Sequence, residues 1–555
     1  MNKKQVDGKQ LKGLHFISIG GCSEVGMNLY AYIYNDQWIL VDMGMGFDGN
    51  FGRELVVPSP SELVKNKSKI MALFLTHSHE DHSGSIPYLW PMIGCPIYAR
   101  PFAIEMVRDK LSQFDLDSKV PLIKVVPNHE VKIGDFSVEF IQVAHSTPES
   151  SALAIKTPDG VVIHSGDWRI DDDPVLGSKT DEKRLRNYGE KGVLALVCDS
   201  TNVFKEQQFG AERDVRRNLI ELVKKYPKNR ILITCFASNL ARLESCYLAA
   251  KESGRQLAIV GRSLKKIERI AKLAGYFSGI PAFLDEKKAN ALDSSKVLLV
   301  CTGSQGEDNS ALTKISNDIH RSVRLRDEDV VIYSSRVIPG NEKAVTEIQD
   351  MLVGRGIKII TNIDCDIHAS GHPSKEELLH LYDLLKPNSV VPIHGGKLHL
   401  YKHAEIAEEY GIKNVLVPHD GALVRLAGDC PEIIGEVKSG TLAVDGNKLL
   451  PLEGRVYKER EAVSCSGVVS VCLRCSKGSA TLLEMVCLGV FEESEQVEIA
   501  DVRSDIASGV QLSLSGGPNW KFDRYKVKSV VEKLVKSAFI EARGKKPSVI
   551  VHIVE

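Results

Sequence analysis

Metal-binding side chains are concentrated in the segment THSHEDHSG, which directly follows residues 70–75, a predicted buried strand. Alternate side chains of an extended segment share one face, so His77, His79 and Asp81 can converge on one point. His82 has the opposite parity and joins them only if the chain turns at Asp81. Three imidazoles and a carboxylate suit a cation such as zinc, whereas the alternative is a solvated loop rich in histidine. The pattern favours a metal site.

Other metal-type side chains stand where further strands are predicted to end, which is where open sheets usually build their sites. The apolar runs and the side chains that they deliver are 138–144 before His145, 161–164 before Asp167, and 390–393 before His394. Together with the first segment they are too many for one tetrahedral zinc, and a closed structural site leaves no position for water. Two metals about 3.5–4 Å apart, bridged by a carboxylate, fit the donor set.

These residues resemble the ligand set of the metallo-β-lactamase superfamily. The sets that the resemblance implies are His77, His79 and His145 for one metal, Asp81, His82 and His394 for the other, and Asp167 as the bridge. Asp42 closes the predicted strand 38–41 and resembles the acid of the family's first motif, which supports the metal loop. The resemblance therefore implies two zinc ions per chain, with Asp81 and His82 at the catalytic centre.

Further motifs resemble the β-CASP branch of this superfamily, namely residues 199–202, 301–307 and 368–372. The loop GGCSEVGMN at residues 20–28 and the sequence PIHG at residues 392–395 resemble bacterial ribonuclease J. The resemblance implies a zinc-dependent phosphodiester hydrolase that acts on RNA. The implied activities are 5′-3′ exonuclease action on 5′-monophosphate RNA and endonuclease action, in RNA maturation and decay.

The same resemblance suggests how the substrate is handled. His368 is predicted to donate a proton to the leaving oxygen, and Asp199 is predicted to orient it. The substrate-binding residues that we predict are His368, Ser370 and His372, with Ser238, Asn239, Arg262 and Ser263 closing the same phosphate pocket. The alternative for the histidines of this segment is a polar loop at a strand end.

Elements with two different periodicities position these residues. Short strands precede residue 199, whereas helices and strands alternate after it, which indicates a mostly parallel sheet of its own. With the resemblance, the fold class is α/β: an αββα metallo-β-lactamase sandwich, an inserted β-CASP α/β domain and a small α+β C-terminal domain. The predicted segments are 1–205 for the first part of the sandwich, 206–360 for the insertion, 361–444 for the return to the sandwich and 445–555 for the C-terminal domain.

Composition sets limits on class and partners. The chain has 555 residues and a net charge of −1, so an RNA-binding charge must be concentrated in a groove and not spread over the surface. Twelve scattered cysteines suit reduced thiols in a cytosol, and we expect a cytoplasmic protein. No apolar run approaches the roughly 20 residues of a membrane span, so we expect no membrane partner.

The region after residue 445 bears on assembly. Residues 527–539 show apolar side chains at helical spacing with lysines between them, which predicts an amphipathic helix. We expect the apolar stripe of this helix to pack as core on a small sheet. By resemblance this region supports a homodimer or homotetramer, and we also expect the stripe to contribute to self-association. Two other functions stay open: a DNA nuclease on the same scaffold, and a catalytically silent RNA-binding or scaffold protein. Departures from the family at Ala211, Asp308–Ser310 and Gly396 put substrate preference and subunit contacts in doubt.

Overall fold

The structure is a computed structural model, and it describes residues 11–48, 55–208, 210–428, 430–476, 479–514 and 523–554. The chain divides into two compact units, one within residues 1–47 and 55–441 and the other within 48–54 and 442–555. Among the described residues, no helix combines the length and the apolar character needed to cross a membrane. This division does not separate the inserted segment, so the boundaries at residues 205, 360 and 444 stay predictions.

The first unit begins with strands that are short, apolar and joined by tight turns. In chain order its elements up to residue 199 are β1 (His15–Gly20), β2 (Leu29–Tyr34), β3 (Gln37–Val41), β4 (Gly46–Phe47), β5 (Leu55–Pro58), α1 (Ser61–Lys65), β6 (Ile70–Phe74), α2 (Glu80–Ser83), α3 (Ile86–Ile93), β7 (Ile97–Ala99), α4 (Pro101–Ser112), β8 (Leu122–Lys124), β9 (Glu130–Ile133), β10 (Phe136–Gln142), β11 (Ser151–Thr157), β12 (Gly160–His164), α5 (Glu182–Lys191) and β13 (Ala195–Asp199). The strands predicted from the sequence at residues 38–41 and 70–75 are confirmed as β3 and β6.

The next part of the unit alternates strands and helices. Its elements are α6 (Glu212–Lys224), β14 (Ile231–Thr234), α7 (Leu240–Glu252), β15 (Gln256–Val260), α8 (Arg262–Leu273), β16 (Leu284–Asp285), α9 (Glu286–Asn290), β17 (Val297–Cys301), α10 (Ala311–Ser316), β18 (Val330–Tyr333), α11 (Glu342–Gly354) and β19 (Lys358–Ile360). The chain then continues through α12 (Lys375–Leu385), β20 (Ser389–Ile393), α13 (Lys397–Tyr410), β21 (Asn414–Val415), β22 (Ala422–Arg425) and β23 (Glu432–Glu436).

Two sheets pack face to face to form the sandwich that carries the site. Their strand orders are β23-β22-β1-β2-β3-β6-β7-β8 and β21-β20-β13-β12-β11-β10-β9. Fully buried aromatic side chains of both sheets, among them Phe16, Phe74 and Phe140, share one core. Helices α5, α12 and α13 cover the outer face of the second sheet. Because β20 returns from beyond the insertion to pair with β13, the strands that end at Asp199 and near His394 lie side by side.

The inserted segment builds a parallel sheet of its own, in the order β16-β15-β17-β14-β18-β19. Its strands are apolar on both sides, as expected for a parallel sheet covered on both faces. Helices α6, α7 and α8 pack on one face, and α9, α10 and α11 pack on the other. The predicted βαβ insertion is confirmed, and the fold is the α/β class that the sequence indicated.

A fully buried arginine ties the insertion to the segment that carries the predicted substrate residues. Arg242 donates to both carboxylate oxygens of Glu212, at 2.9 and 3.1 Å, and to the backbone oxygens of Ser334 and Ile367. Burial alone would lower the pKa of Arg242, but the Glu212 carboxylate outweighs it and leaves that pKa raised. The guanidinium is therefore a charged cross-link between α6, α7 and the chain just before His368.

Replacing Arg242 with methionine should destabilise the protein by about 3 kcal/mol, because the Glu212 carboxylate would lose its partner in a largely buried place. Urea unfolding followed by circular dichroism measures the loss. The matched control is Arg213→Met in the same helix as Glu212, since Arg213 is 63 % exposed and pairs with Asp173 at 2.6 Å. That exposed pair should contribute no more than about 1 kcal/mol. Equal effects of the two substitutions would contradict the assignment of Arg242 as a cross-link.

The second unit contains a three-stranded sheet with helices on one face. Its elements are β24 (Thr441–Asp445), β25 (Lys448–Pro451), α14 (Arg455–Ser466), β26 (Val468–Ser476), β27 (Ser479–Leu488), α15 (Gln496–Ser513), α16 (Arg524–Arg543) and β28 (Ser548–Val554). The sheet order is β27-β26-β28, with β26 antiparallel to β27 and parallel to β28. This is the predicted small α+β domain.

The apolar stripe of α16 is part of this unit's own core. Val527, Val531, Val535 and Phe539 are at most 2 % exposed and pack with residues of α15 and β26. The amphipathic helix is confirmed. The prediction that its stripe contributes to self-association is wrong, because the apolar side chains already cover the unit's own sheet.

Candidate active site

The metal-type loop is shaped by the turn that follows β6. The one-turn helix α2 starts at Glu80 and reverses the parity of the chain, so that His82 points back toward His77, with ring centroids 4.1 Å apart. Asp42 fixes this turn from below. Its carboxylate accepts from the backbone nitrogen and the hydroxyl of Thr76, both at 2.8 Å, and lies 2.7 Å from His82 Nδ1. These contacts of Asp42 fix the loop without any contribution from a bound metal.

The structure brings the seven predicted ligands into two groups that share one carboxylate. The groups are His77, His79, His145 and Asp167, and Asp81, His82, Asp167 and His394. Within each group one ligand atom per residue lies within 4.8 Å of every other. Asp167 Oδ2 is 3.5 Å from His77 Nε2, and Asp167 Oδ1 is 3.1 Å from His82 Nε2. Each oxygen of this carboxylate therefore faces a different group.

The donor atoms of the first group fit a cation. His77 Nε2 and Asp167 Oδ2 are buried, and neither makes a hydrogen bond to any described residue, while His79 Nδ1 and His145 Nε2 face each other at 3.1 Å. Burial lowers the pKa of both His77 and His79, which favours the neutral imidazole that a metal requires. Buried polar atoms without partners are costly, so a cation between them would remove that cost. In the second group, His394 Nδ1 lies 2.8 Å from Asp167 Oδ1, and the buried His394 Nε2 atom makes no hydrogen bond to a described residue.

Asp199 pairs with His372, which corrects the sequence prediction. The prediction that Asp199 orients His368 is wrong, because His372 Nδ1 lies 2.8 Å from Asp199 Oδ2. Burial alone would lower the pKa of His372, but Asp199 and Asp167 outweigh it and leave that pKa raised. His368 lies near guanidinium groups instead. Burial, and then Arg242 and other nearby guanidinium groups, lower the pKa of His368 to about 3. His368 is therefore neutral and unsuited to donating a proton at this site.

The segment that carries His372 passes directly over the first group of ligands. The Gly371 carbonyl lies 2.6 Å from His145 Nδ1, and a β-carbon at this glycine would come within 2.6 Å of the same ring. Only glycine allows so close an approach without a shift of one of the two segments. Ser370 and His372 are thereby held at fixed positions beside the metal-type groups.

Sequence reasoning missed the polar side chains that hold this segment. Arg169 donates to the Ser370 carbonyl at 2.8 Å, and Asn202 donates to the Ser370 hydroxyl at 2.6 Å and to the His372 carbonyl at 3.2 Å. Asn202 stands in the motif with Asp199, and Arg169 stands two residues after Asp167. Their proximity to predicted residues was the available signal. Their partners are distant in the chain, so the sequence could not show what they bind.

Of the residues predicted to close the phosphate pocket, the structure brings one to Ser370. Asn239 and Ser370 line one narrow cavity, which also borders His145, Arg169 and Glu212. Asn239 also caps α7 by accepting from the Arg242 backbone nitrogen at 2.9 Å. The predicted Ser238, Arg262 and Ser263 do not line this cavity, and the last two are exposed at the start of α8. Ser238 and Asn239 follow β14, whereas Arg262 and Ser263 follow β15. In the sheet of the insertion β17 lies between these two strands, so the two loops are separated.

The sequence of this chain matches three family models. Residues 25–197 match the metallo-beta-lactamase superfamily, residues 228–352 match the ribonuclease J beta-CASP domain, and residues 356–418 match a Zn-dependent metallo-hydrolase RNA specificity domain. A solved structure of a protein of unknown function from Enterococcus faecalis V583 matches with a TM-score of 0.54 at 18% identity. It covers 74% of this chain and 99% of its own, and it shows the fold alone.

Curated proteins resemble the chain over nearly its whole length. Ribonuclease J of Sinorhizobium meliloti is 37% identical, and the alignment covers 99% of each chain. Ribonuclease J 1 of Streptococcus pyogenes is 35% identical over 81% of each chain. Since a relative of this identity is matched end to end, and since two metal-type groups and the Asp199–His372 pair lie at the strand ends of a sandwich with a β-CASP insertion, this chain belongs to the ribonuclease J family.

Proposed function

We propose that the protein is a zinc-dependent ribonuclease that removes nucleotides from the 5′ end of 5′-monophosphate RNA and also cleaves RNA internally. One observation carries this proposal: two groups of metal-type side chains share Asp167, and the Asp199–His372 pair lies beside them. Family membership and the match to an RNA specificity domain support RNA as the substrate. The net charge of −1 is no obstacle, because RNA binding needs positive charge only in the groove that holds the strand.

Two zinc ions would be held by the seven residues of the two groups, with Asp167 shared between them. When bound, such ions supply Lewis-acid chemistry that lowers the pKa of water and neutralises charge on phosphate oxygens. The buried atoms His77 Nε2 and Asp167 Oδ2, which make no hydrogen bond to a described residue, support this assignment. The Asp42 carboxylate holds the Nδ1 atom of His82, so that the Nε2 atom of His82 faces the site.

The protein's own acid would be His372. Its Nδ1 atom is held by Asp199, so the remaining nitrogen, Nε2, is the atom that can donate a proton to the leaving oxygen of a cleaved phosphodiester. The carboxylate of Asp199 stabilises the protonated ring and, with Asp167, leaves the pKa of His372 raised against the effect of burial. His372 is 22 % exposed, so a substrate can reach it. We therefore assign the role predicted for His368 to His372.

A pocket for the 5′ phosphate would form around Ser370. The Ser370 hydroxyl oxygen accepts from the Asn202 amide and from the His372 backbone nitrogen, so its own hydrogen remains to donate to a ligand. Arg336 lies on the other side of Asn202, at 3.4 Å, and adds positive charge. A terminal phosphate held here would fix how many nucleotides reach the metals. A triphosphate brings more bulk and charge than a shaped pocket admits.

Ser370→Ala should lower exonuclease activity on 5′-monophosphate RNA at least tenfold and should affect internal cleavage less. Removing a hydrogen bond to a charged group costs about 1.5–3 kcal/mol. The experiment follows 5′-labelled RNA with monophosphate and triphosphate ends, with metal content measured on the same samples. Ser263→Ala, an exposed serine outside the pocket, is the control. Equal trimming of both RNAs by wild type and Ser370→Ala would show that the phosphate pocket is placed wrongly.

Location and assembly are also proposals. The structure has no disulfide among its described residues, which supports a reducing compartment such as the cytoplasm. A homodimer or homotetramer is supported by the second unit's sheet, whose face away from α15 and α16 exposes Val486, Leu488, Ile550 and Val554 by 47–66 %. Since α16 covers the opposite face, self-association through this unit would use the sheet and not the helix.

A further inference from the structure

Two aromatic rings meet near the strand ends that carry the candidate site. Phe204 and His399 lie edge to face, with ring centroids 5.3 Å apart and planes at 73°. Phe204 is 49 % exposed. An edge-to-face pair leaves ring faces uncovered, and an exposed aromatic face in water offers a place for another flat ring.

The fold places this pair beside the site because of the strand pairing of the sandwich. The parallel strands β13 and β20 are in register at Asp199 and Ile393, so the segments after them leave the sheet together. Phe204 follows Asp199 by five residues, and His399 follows His394 by five. A β-carbon at Gly395, next to His394, would come within 2.8 Å of the His399 side chain and 3.5 Å of the Ser200 side chain. The ring pair therefore lies close to Gly395 and Ser200, the residues that follow His394 and Asp199.

The turn that presents Phe204 also holds the proposed phosphate pocket. The Lys205 backbone nitrogen donates to the Asn202 carbonyl at 2.8 Å, while the Asn202 amide donates to Ser370. The Lys375 backbone nitrogen donates to the Lys205 carbonyl at 2.8 Å, which ties the turn to the chain just after His372. A strand of RNA that reaches the pocket thus passes a turn that is fixed relative to it.

The surroundings of the pair suit a single-stranded polyanion. Lys205 follows Phe204, Lys397 precedes His399 by two residues, and both lysines are exposed. Gly396 adds no side chain here. The space beside it is open, because a β-carbon at this position would meet nothing closer than 3.8 Å. Open aromatic faces next to lysines are the combination that single-strand binding sites use, with bases stacked on rings and cations near phosphates.

We propose that the Phe204–His399 pair is a nucleobase-stacking subsite for single-stranded RNA beside the candidate centre. The inference rests on the proposed ribonuclease function and adds to it a residue that positions the substrate. Stacking on an aromatic ring accepts every base, so the subsite would hold RNA without reading its sequence. Phe204 is a positioning residue in this proposal and takes no part in bond cleavage.

The test measures binding of short RNA oligonucleotides with phosphorothioate linkages, in which one position at a time lacks its base. Phe204→Ala in the metal-loaded protein should weaken RNA binding about 5- to 100-fold. In the wild type, removing the base at one position should cause a similar loss, whereas the same abasic RNA should bind Phe204→Ala no more weakly than intact RNA does. Phe204→Trp should restore binding and this position dependence.

The matched control is Phe114→Ala, since Phe114 is 37 % exposed and lies edge to face with Tyr88 at 5.2 Å, so it is another exposed aromatic pair that no step of the proposal uses. It should leave RNA binding unchanged. Equal sensitivity of wild type and Phe204→Ala to every abasic position would overturn the inference. A loss of RNA binding that comes with a changed sedimentation coefficient of Phe204→Ala would overturn it as well. Hydrolysis of unmodified RNA is followed in parallel. If the wild type cleaves RNA but wild type and Phe204→Ala respond alike to every abasic position, only the subsite is rejected. If the two proteins respond differently at one abasic position but the wild type does not cleave RNA, the ribonuclease function is rejected and the subsite is retained.

Discussion

Replacing Asp167 with asparagine should lower RNA hydrolysis by at least about a thousandfold. Asp167 is the carboxylate shared by both metal-type groups, so its loss weakens both proposed sites at once. Lowering the pKa of water from about 15.7 to about 7 corresponds to roughly 12 kcal/mol, and losing a third of that lowers the rate about a thousandfold. The measurement combines the rate on labelled RNA with elemental analysis, and metal content should fall below the two ions per chain expected for the wild type.

Asp329→Asn is the control for this change. Asp329 is also a buried aspartate, but it lies in the insertion, where it accepts from the Arg326 backbone nitrogen at 2.9 Å. It should leave metal content unchanged and the rate within a few fold of the wild type. Circular dichroism should show the same secondary structure for both variants, because the site lies at strand ends and not in a core. A fully active Asp167→Asn protein would falsify the two-metal mechanism.

His372→Ala should lower the rate of RNA cleavage about 100- to 10,000-fold while metal content stays at the wild-type level. This range is what general acid catalysis by a positioned side chain contributes. His368→Gln, a change at the other histidine of the same segment, should lower the rate far less, because that ring does not face Asp199. If His368→Gln proves the more harmful of the two in the rate of cleavage, the assignment of the acid to His372 is wrong.

The pH dependence separates an acid from a merely structural histidine. A general acid works while protonated, so activity should fall as the pH rises through its pKa. Asp199 is among the charges that raise the pKa of His372 against the effect of burial. Asp199→Asn should therefore move the alkaline limb of the rate profile to lower pH, and the limb should be absent in His372→Ala. An alkaline limb that is identical in all three proteins would indicate that another group donates the proton.

Much of the candidate site could be predicted from the sequence, because its parts are local. The spacing of His77, His79 and Asp81 after an apolar strand determines that they share a face. The need for a turn to bring in His82 follows from parity alone, and the structure has a one-turn helix at that point. Functional side chains often lie at the ends of strands. His145, Asp167 and His394 could therefore be selected without knowing which strands are neighbours.

The periodicity of the chain also determined the fold class and the insertion. Apolar runs buried on both faces alternate with amphipathic helices from residue 212 onward, and that pattern specifies a covered parallel sheet. The amphipathic helix of the second unit was predicted on the same grounds. Periodicity reports which face of an element is buried, but it does not report what covers that face. The stripe of α16 was therefore open to an incorrect interpretation as an association surface.

Only the tertiary structure decided which histidine meets Asp199. His368 and His372 lie four residues apart in an irregular segment, and neither period 2 nor period 3.6 applies there. Their directions are determined by contacts with distant parts of the chain: Gly371 on His145, and Asn202 and Arg169 on Ser370.

The same holds for Arg242 and for the Phe204–His399 pair, whose partners lie between 30 and 195 residues away in the chain. Local sequence determines the conformations of strands and helices and the faces that they bury. Which polar and aromatic side chains meet across the folded chain is decided by the pairing of strands such as β13 and β20, which brings together segments that are separate in the sequence.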